Sequence, residues 1–296
     1  MGIRGVWSTF RNQSKTIDPL KLQPLKIGID MFCLIYTHRV ILDELLLLIK
    51  SWSEIGHSIV CVWDGAAPKE KEYIINERRS ARDIAVGKKE DLEVYLAEHG
   101  DELSISEREN ISTTISSLGW QGWHLTGKLK REIHGVLGGD IKHISAEGEA
   151  DDLLLKMAFD GRADVIMSLD SDLFVMGTPR IWRLLNIRKK WIVEDISVEY
   201  VCNDWGITLA GLQDASFLAG WDRCHTKGGE FMRFDSALAR VKHYGTWQAT
   251  IAKHPWNESV IIHGADDELN RLKSESKKLW VQLLMSRRNL QSAHLL

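Results

Sequence analysis

Apolar residues along this chain follow two rhythms. Short continuous runs bounded by polar turns, Ile27-Gly-Ile29, Ile59-Val-Cys-Val-Trp63 and Val165-Ile-Met167, have the length of buried strands, whereas the stretch from Met31 to Trp52 repeats at helical spacing. Read in order, the pattern predicts a strand near Ile27, a helix from Met31 to Trp52, a strand from Ile59 and a helix from Pro68 to about Val86. A βαβα opening of this kind predicts a parallel sheet. Between about 86 and 128 the chain turns polar, charged and helical without any strand pattern, as an insertion would. The sheet rhythm then resumes with a helix from Lys128 to Leu137, a short strand at Lys142 to Ser145 and a helix opening after Glu147. Two more strand-like runs, Ile181 to Leu185 and Lys190 to Val193, bracket a basic turn, and from Ile196 onward the apolar spacing is helical. The expected fold is α/β, a mostly parallel central sheet flanked by helices, with a core over 1–200 that holds the insertion and a helical region over 201–296.

Three of the strand-like runs finish on an aspartate: Ile27-Gly-Ile-Asp30, Val60-Cys-Val-Trp-Asp64 and Val165-Ile-Met-Ser-Leu-Asp170. Residues just beyond the carboxyl ends of parallel strands share one crevice, so these acids are expected to converge there. Glu147-Gly-Glu-Ala-Asp-Asp152 adds more carboxylates ahead of the third run, and Asp172 follows Asp170 by two. Taken singly, Asp30 or Asp64 reads first as a helix cap. Together they form a cluster in which two carboxylates about 4 Å apart repel by roughly 4 kcal/mol at an effective dielectric near 20. Six or more acids exceed what a shared proton can neutralise at pH 7, so a divalent cation is the better reading. Oxygen donors without His or Cys favour Mg²⁺ or Mn²⁺ over zinc.

Composition narrows the setting. With 296 residues and 44% hydrophobic content the chain can build a substantial core. The longest apolar stretch, Val40 to Ile49, is broken by Asp43 and Glu44 and is too short to span a bilayer, so no membrane partner is expected. The opening residues lack an apolar signal core, which predicts an intracellular protein, nuclear if the source is eukaryotic and otherwise cytoplasmic. Cys33, Cys61, Cys202 and Cys224 show no C-x-x-C pairing and read as reduced thiols. The net charge of −3 hides segregation, with basic clusters at Lys69–Arg82, Arg180–Lys190 and Lys273–Arg288 that read either as a polyanion-binding rim or as solvated faces. Among twelve tryptophans, Trp120 and Trp123 stand in a loop-like Gly-Trp-Gln-Gly-Trp context where base stacking is possible.

With these residues in order, the chain resembles the flap endonuclease family of structure-specific 5′ nucleases, related to the 5′ nuclease domains of bacterial DNA polymerases. Met-Gly-Ile-Arg-Gly-Val-Trp7 is similar to the family's glycine-initiated start, and Ile27-Gly-Ile-Asp30 with Tyr36 to its first block. Val62-Trp-Asp-Gly-Ala-Ala-Pro68, followed by Lys71 and Arg78-Arg-Ser-Ala-Arg82, resembles the second acid and its basic gateway helix. Glu147-Gly-Glu149-Ala fits the paired glutamates, Ser168-Leu-Asp-Ser-Asp172 fits the Asp-x-Asp block, and Leu218-Ala-Gly-Trp-Asp222 fits the last metal-binding acid.

The resemblance implies a PIN-like nuclease core, a helical arch made by the insertion, and a C-terminal region with a degenerate helix-hairpin-helix. It implies two Mg²⁺ ions, with Mn²⁺ able to substitute. Asp30, Asp64, Glu147 and Glu149 would hold one, and Asp170, Asp172 and Asp222 the other, with Asp151 and Asp152 as additional candidates. Lys71 and Arg78 would contact the scissile phosphate, Tyr36 would stack on the terminal base, and Gly2, Arg79, Arg82, Lys227, Gly228 and Gly229 would touch DNA. The chain departs from the family at Arg223-Cys-His-Thr-Lys-Gly-Gly229, which keeps only the outline of the duplex-gripping hairpin and leaves its K⁺ site an open expectation. The insertion matches no version of the arch closely, and the tail shows no sliding-clamp-binding peptide. The expected activity is Mg²⁺-dependent flap endonuclease and 5′→3′ exonuclease action on branched or nicked DNA by a monomer. Cleavage of RNA or four-way junctions, or a non-catalytic nucleic-acid-binding scaffold, are the alternatives.

Overall fold

The computed structural model describes residues 2–67, 72–221, 231–253 and 265–293. They form two compact units, Met1–Gly65 with Leu137–Leu296, and Ala66–Val136. Among the described residues of the first unit, seven strands make one sheet: β1 (Lys15–Ile17), β2 (Lys26–Asp30), β3 (Ser58–Trp63), β4 (Lys142–Ser145), β5 (Val165–Met167), β6 (Arg180–Ile187) and β7 (Lys190–Ser197). Their order is β1-β7-β6-β5-β2-β3-β4. The five strands from β6 to β4 run parallel, and β7 is antiparallel to both β6 and β1. The mostly parallel α/β sheet expected from the sequence is present. The hairpin of β6 and β7 turns on Arg188 and Lys189, both with positive φ, the geometry of a two-residue turn that matches strand twist.

The first unit's helices are α1 (Val6–Thr9), α2 (Met31–His38), α3 (Leu42–Glu54), α7 (Ala150–Phe159), α8 (Ser171–Val175), α9 (Val198–Trp205), α10 (Leu209–Leu218), α11 (Phe234–Tyr244), α12 (Trp247–Lys253) and α13 (Ala265–Ala293). The single helix expected over Met31–Trp52 is broken by a 3₁₀ turn at Arg39–Ile41. Buried His38 sets its ring Nε2 3.0 Å from the Leu184 carbonyl on β6, and the Arg39 guanidinium donates to the Tyr36 carbonyl, so side chains take over the end of α2. Asp43 and Glu44 then fill the first turn of α3, where the helix dipole favours them.

Gly28 of β2 lets the helix layer approach the sheet: a Cβ there would stand 2.9 Å from Ile166 Cδ1 and 3.1 Å from Leu154 Cδ2 on α7. A ring of aromatics ties the chain start to the C-terminal helices, with Phe10 5.4 Å from Phe174, 5.5 Å from Trp205 and 5.6 Å from Phe234, centroid to centroid. On α13, Ser276 donates to the Met176 carbonyl at 2.9 Å and Trp280 Nε1 to the Gly177 carbonyl at 3.0 Å, so this helix holds the segment that follows α8. The basic run Arg180–Lys190 is partly neutralised in place, since Arg180 forks onto Asp195 and Arg183 pairs with Glu194 across the hairpin.

The second unit carries α4 (Glu72–His99), α5 (Ile105–Gly122) and α6 (Gly127–Leu137), the last reaching one residue into the first. The helix expected to stop near Val86 continues to His99. Val86 is a helix–helix contact, with its Cγ2 2.7 Å from where a Cβ on Gly122 would sit. Trp120 is also helical, 39% exposed near the end of α5, because the Ser104–Glu107 capping box starts a helix that runs to Gly122.

Candidate functional site

Four neighbouring parallel strands each deliver acids at their carboxyl ends: β5 leads to Asp170 and Asp172, β2 ends on Asp30, β3 leads to Asp64, and β4 leads to Glu147 and Glu149. The chain moves outward from β2 through β3 to β4 and then returns to β5 on the other side of β2. That reversal is the topological switch point at which open α/β sheets bind ligands.

Asp30 is 5% exposed, and both its oxygens are engaged. Oδ1 accepts the Cys33 N–H at 3.0 Å as the N-cap of α2, and Oδ2 accepts the Ser168 hydroxyl at 2.8 Å. Burial pushes its carboxyl up to about 7, and the negative charges of Asp64 and Asp170 add to that rise while the two hydrogen bonds oppose it. Asp64 is exposed and accepts the Ala150 N–H at 2.7 Å. Beside it, Gly65 donates to the Gly148 carbonyl at 2.7 Å and has no room for a Cβ, which would lie 2.0 Å from the Ala146 carbonyl. The 146–149 loop, with exposed Glu147 and with Glu149 as N-cap of α7, is thereby held against the end of β3.

Asp170 caps α8, its Oδ1 accepting the Asp172 N–H at 3.0 Å, and Asp172 is 4% exposed. Gly2 lies against this turn: a Cβ there would stand 2.5 Å from Asp170 Oδ1 and 2.3 Å from Ser171 Oγ, and its φ of +70° is one that glycine adopts freely. Ile3 N–H donates to Ser171 Oγ at 2.7 Å and Trp7 Nε1 to the Leu169 carbonyl at 2.8 Å. Gly2 also borders a cavity of about 900 Å³ whose walls include Arg4, Ser8, Phe231 and Arg233.

Asp151 and Asp152 fall in the first turn of α7. Tyr36 is half-buried and stacked on Phe32, centroids 6.0 Å apart, and Phe32 meets the edge of Trp63 at 6.2 Å. In the second unit Arg78 and Arg79 are exposed and Arg82 is half-buried on α4, with Arg78 and Arg82 one turn apart. Lys71, Asp222, Lys227, Gly228 and Gly229, with the K⁺ expectation attached to them, lie outside the described residues. Sequence reading missed Ser168, Ser171 and Trp7. Ser168 stood inside a quoted motif, and only its contacts give it a role.

The donor set is all carboxylate oxygen, which suits a hard divalent cation, and Asp30 feels the charge of two other acids. Among the described residues, no group of three or more His, Cys, Asp or Glu side chains is spaced to hold one ion. The expected ligands among the described residues stand at the carboxyl ends of neighbouring strands and are not gathered into one coordination shell.

The fold is similar to the PIN-like α/β fold of two sets of solved structures. The XPG I-region model matches residues 140–222. Flap endonuclease 1 of Haloquadratum walsbyi is 29% identical over 164 residues, 55% of this chain and 45% of that protein. Among solved structures, the catalytic core of Rad2 in complex with DNA substrate gives a TM-score of 0.61 at 19% identity, covering 95% of this chain and 80% of that one. Flap endonuclease-1 from Methanococcus jannaschii gives 0.57 at 20%, covering 88% and 81%. Over these residues the chain is similar to the flap endonuclease/XPG family. It spans less than two thirds of the length of the curated relatives it matches.

Proposed function

We propose that this protein is a Mg²⁺-dependent, structure-specific 5′ nuclease that hydrolyses phosphodiester bonds of branched or nicked DNA, by flap endonuclease and 5′→3′ exonuclease action. The observation that carries this reading is the delivery of acids by four adjacent parallel strands to one edge, where Asp64 and Asp170 act electrostatically on buried Asp30. Asp30, Asp64, Glu147 and Glu149 would hold one cation, and Asp170 and Asp172, joined by Asp222, a second. When bound, two such cations supply a water of lowered pKa and neutralise charge on the attacking and leaving oxygens. The protein's own part is to fix these carboxylates. The cap bonds of Asp30 and Asp170 and the Asp64–Ala150 bond each restrain one acid. Phosphate contacts are assigned to Lys71, Arg78, Arg79 and Arg82, and stacking on the terminal base to Tyr36. Arg4 at the cavity beside Gly2 suits a nucleic-acid backbone leaving the acidic edge, whereas Arg233 there is already paired with Asp235.

The test is a panel of 5′-labelled flap, nicked, single-stranded, four-way-junction and RNA substrates, each with Mg²⁺ and with EDTA. Cleavage of flapped or nicked DNA in Mg²⁺ alone is expected. No cleavage by the parent protein defeats the proposal in favour of a binding scaffold, and equal cleavage after Asp170→Ala and Asp172→Ala defeats it as a reading of this site. Preference for RNA or the four-way junction replaces the substrate and keeps the chemistry.

A further inference from the structure

Backbone pairing between β2 and β5 stops one residue short of the acids. Its last rung is Ile29 with Met167, and the next pair along would be Asp30 with Ser168. The Ser168 N–H instead turns to the Trp182 carbonyl on β6 at 3.1 Å, and its side chain continues the link to β2. That hydroxyl is fully buried, donates to Asp30 Oδ2 at 2.8 Å and accepts the Asp170 N–H at 3.0 Å. One oxygen atom thus touches the side chain of one acid and the backbone of another, across the two strands that flank the switch point. The buried Cys33 thiol is a further hydrogen-bonding neighbour of this hydroxyl, which donates to Asp30 and offers a lone pair to the Asp170 N–H.

We infer that Ser168 is a positioning residue that sets the spacing of Asp30 and Asp170 for divalent-cation binding, an inference that rests on the functional reading above. A hydroxyl at this position does what outer partners of metal ligands do, orienting the carboxylate without touching the ion, and losing such partners costs 10–100-fold in metal affinity or activity. The neighbouring Ser171 has a different task, since its hydroxyl accepts the Ile3 N–H and holds the chain start.

The experiment measures Mn²⁺ binding to the full chain without DNA, by loss of the free-ion paramagnetic resonance signal, together with the Mg²⁺ dependence of flap cleavage. Ser168→Ala is expected to weaken Mn²⁺ binding by about 10–100-fold and to raise half-saturating Mg²⁺ similarly, with KM for DNA unchanged. Ser168→Thr and Ser168→Val have nearly equal volume, so the hydroxyl separates them: Thr is expected to stay near the parent and Val to fall with Ala. Thermal melts in EDTA check that each variant folds. Parent-like Mn²⁺ binding by Ser168→Ala, or equal losses in Thr and Val, overturns the inference and leaves the nuclease reading standing. A parent that binds no Mn²⁺ removes both.

Discussion

The two compact units are held together by different means. The Met1–Gly65 with Leu137–Leu296 unit buries large side chains completely, Trp63, Trp182, Trp221, Phe10 and Phe174 among them. In the Ala66–Val136 unit, α5 buries none of its eighteen described residues, while Ile84, Val94, Tyr95 and Ile105 stand 44–71% exposed. Beyond buried Ala85 and Ile133 and the Val86–Gly122 contact of α4 with α5, its helices rest on local devices: the Ser104–Glu107 capping box and i,i+4 pairs such as Lys89–Glu93 at 3.0 Å. Such pairs contribute only about 0.2–0.5 kcal/mol each. The sheet unit can therefore fix side chains to the tolerance that catalysis requires, whereas the helical unit is expected to open locally at small cost. Hydrogen exchange checks this directly: amides over 72–122 should exchange orders of magnitude sooner than those of β2 and β5. Equal protection in the two units would break the comparison.

The largest effect is expected where rigidity meets chemistry. On the function proposed above, Asp170→Ala should reduce Mg²⁺-dependent cleavage on the order of a thousandfold, since each cation held there would supply several kcal/mol of transition-state stabilisation. Its stability should fall by no more than the loss of one helix cap, about 1 kcal/mol, and a parallel loss of folding would reassign Asp170 to structure. Next comes the core itself. Leu154→Ala, beneath Gly28 and fully buried, should cost about 2–5 kcal/mol in urea unfolding. Ile105→Ala, 71% exposed in the second unit, should stay within about 0.5 kcal/mol.

The sequence made the sheet unit readable because its strands are short apolar runs and its acids stand where those runs end. Ile27-Gly-Ile-Asp30 is a strand with its cap, in the residues and in the fold alike. Other features depend on contacts far along the chain. β1 is three mostly exposed residues that exist as a strand only by pairing with β7, so no local rhythm announces it. The break at Arg39 depends on a carbonyl of β6, and the role of Ser168 on an aspartate 138 residues away. The run of α4 past Val86 was hidden for the opposite reason. An apolar pair, Ala85 and Val86, looks like the end of a core helix when its real neighbour is another helix of a hairpin.

A further test uses pH. Asp30 has its carboxyl at about 7 in the fold against an ordinary 3.8, so the folded protein holds this proton more tightly than the unfolded chain does. The associated stability is fully present below about pH 4 and is lost as pH rises to about 7. In EDTA, the melting temperature of the parent should therefore fall over that window relative to Asp30→Asn, which cannot ionise. Mg²⁺ should raise it at pH 8 and do little at pH 4. A parent that melts in parallel with Asp30→Asn across the window would mean that the buried carboxyl titrates normally.

A more local effect belongs to the helical unit and isolates how its helices are held. Ser104 accepts the Glu107 N–H at 3.3 Å through its hydroxyl while the Glu107 carboxylate accepts the Ser104 N–H at 2.9 Å, satisfying two donors that the helix start leaves unpaired. The Ser104 hydroxyl, which donates to the Glu107 carboxylate at 2.6 Å, and then the Ser104 N–H hold that carboxyl below its ordinary range. Ser104→Ala should cost about 1 kcal/mol of α5 stability. Because α5 has no buried residue among those described, that loss has no core to be shared with, and it should appear as faster exchange at 105–110 with the global urea midpoint unchanged. A shift of the global midpoint would mean that the two units unfold as one, and the contrast between a packed sheet and a locally supported hairpin would no longer hold.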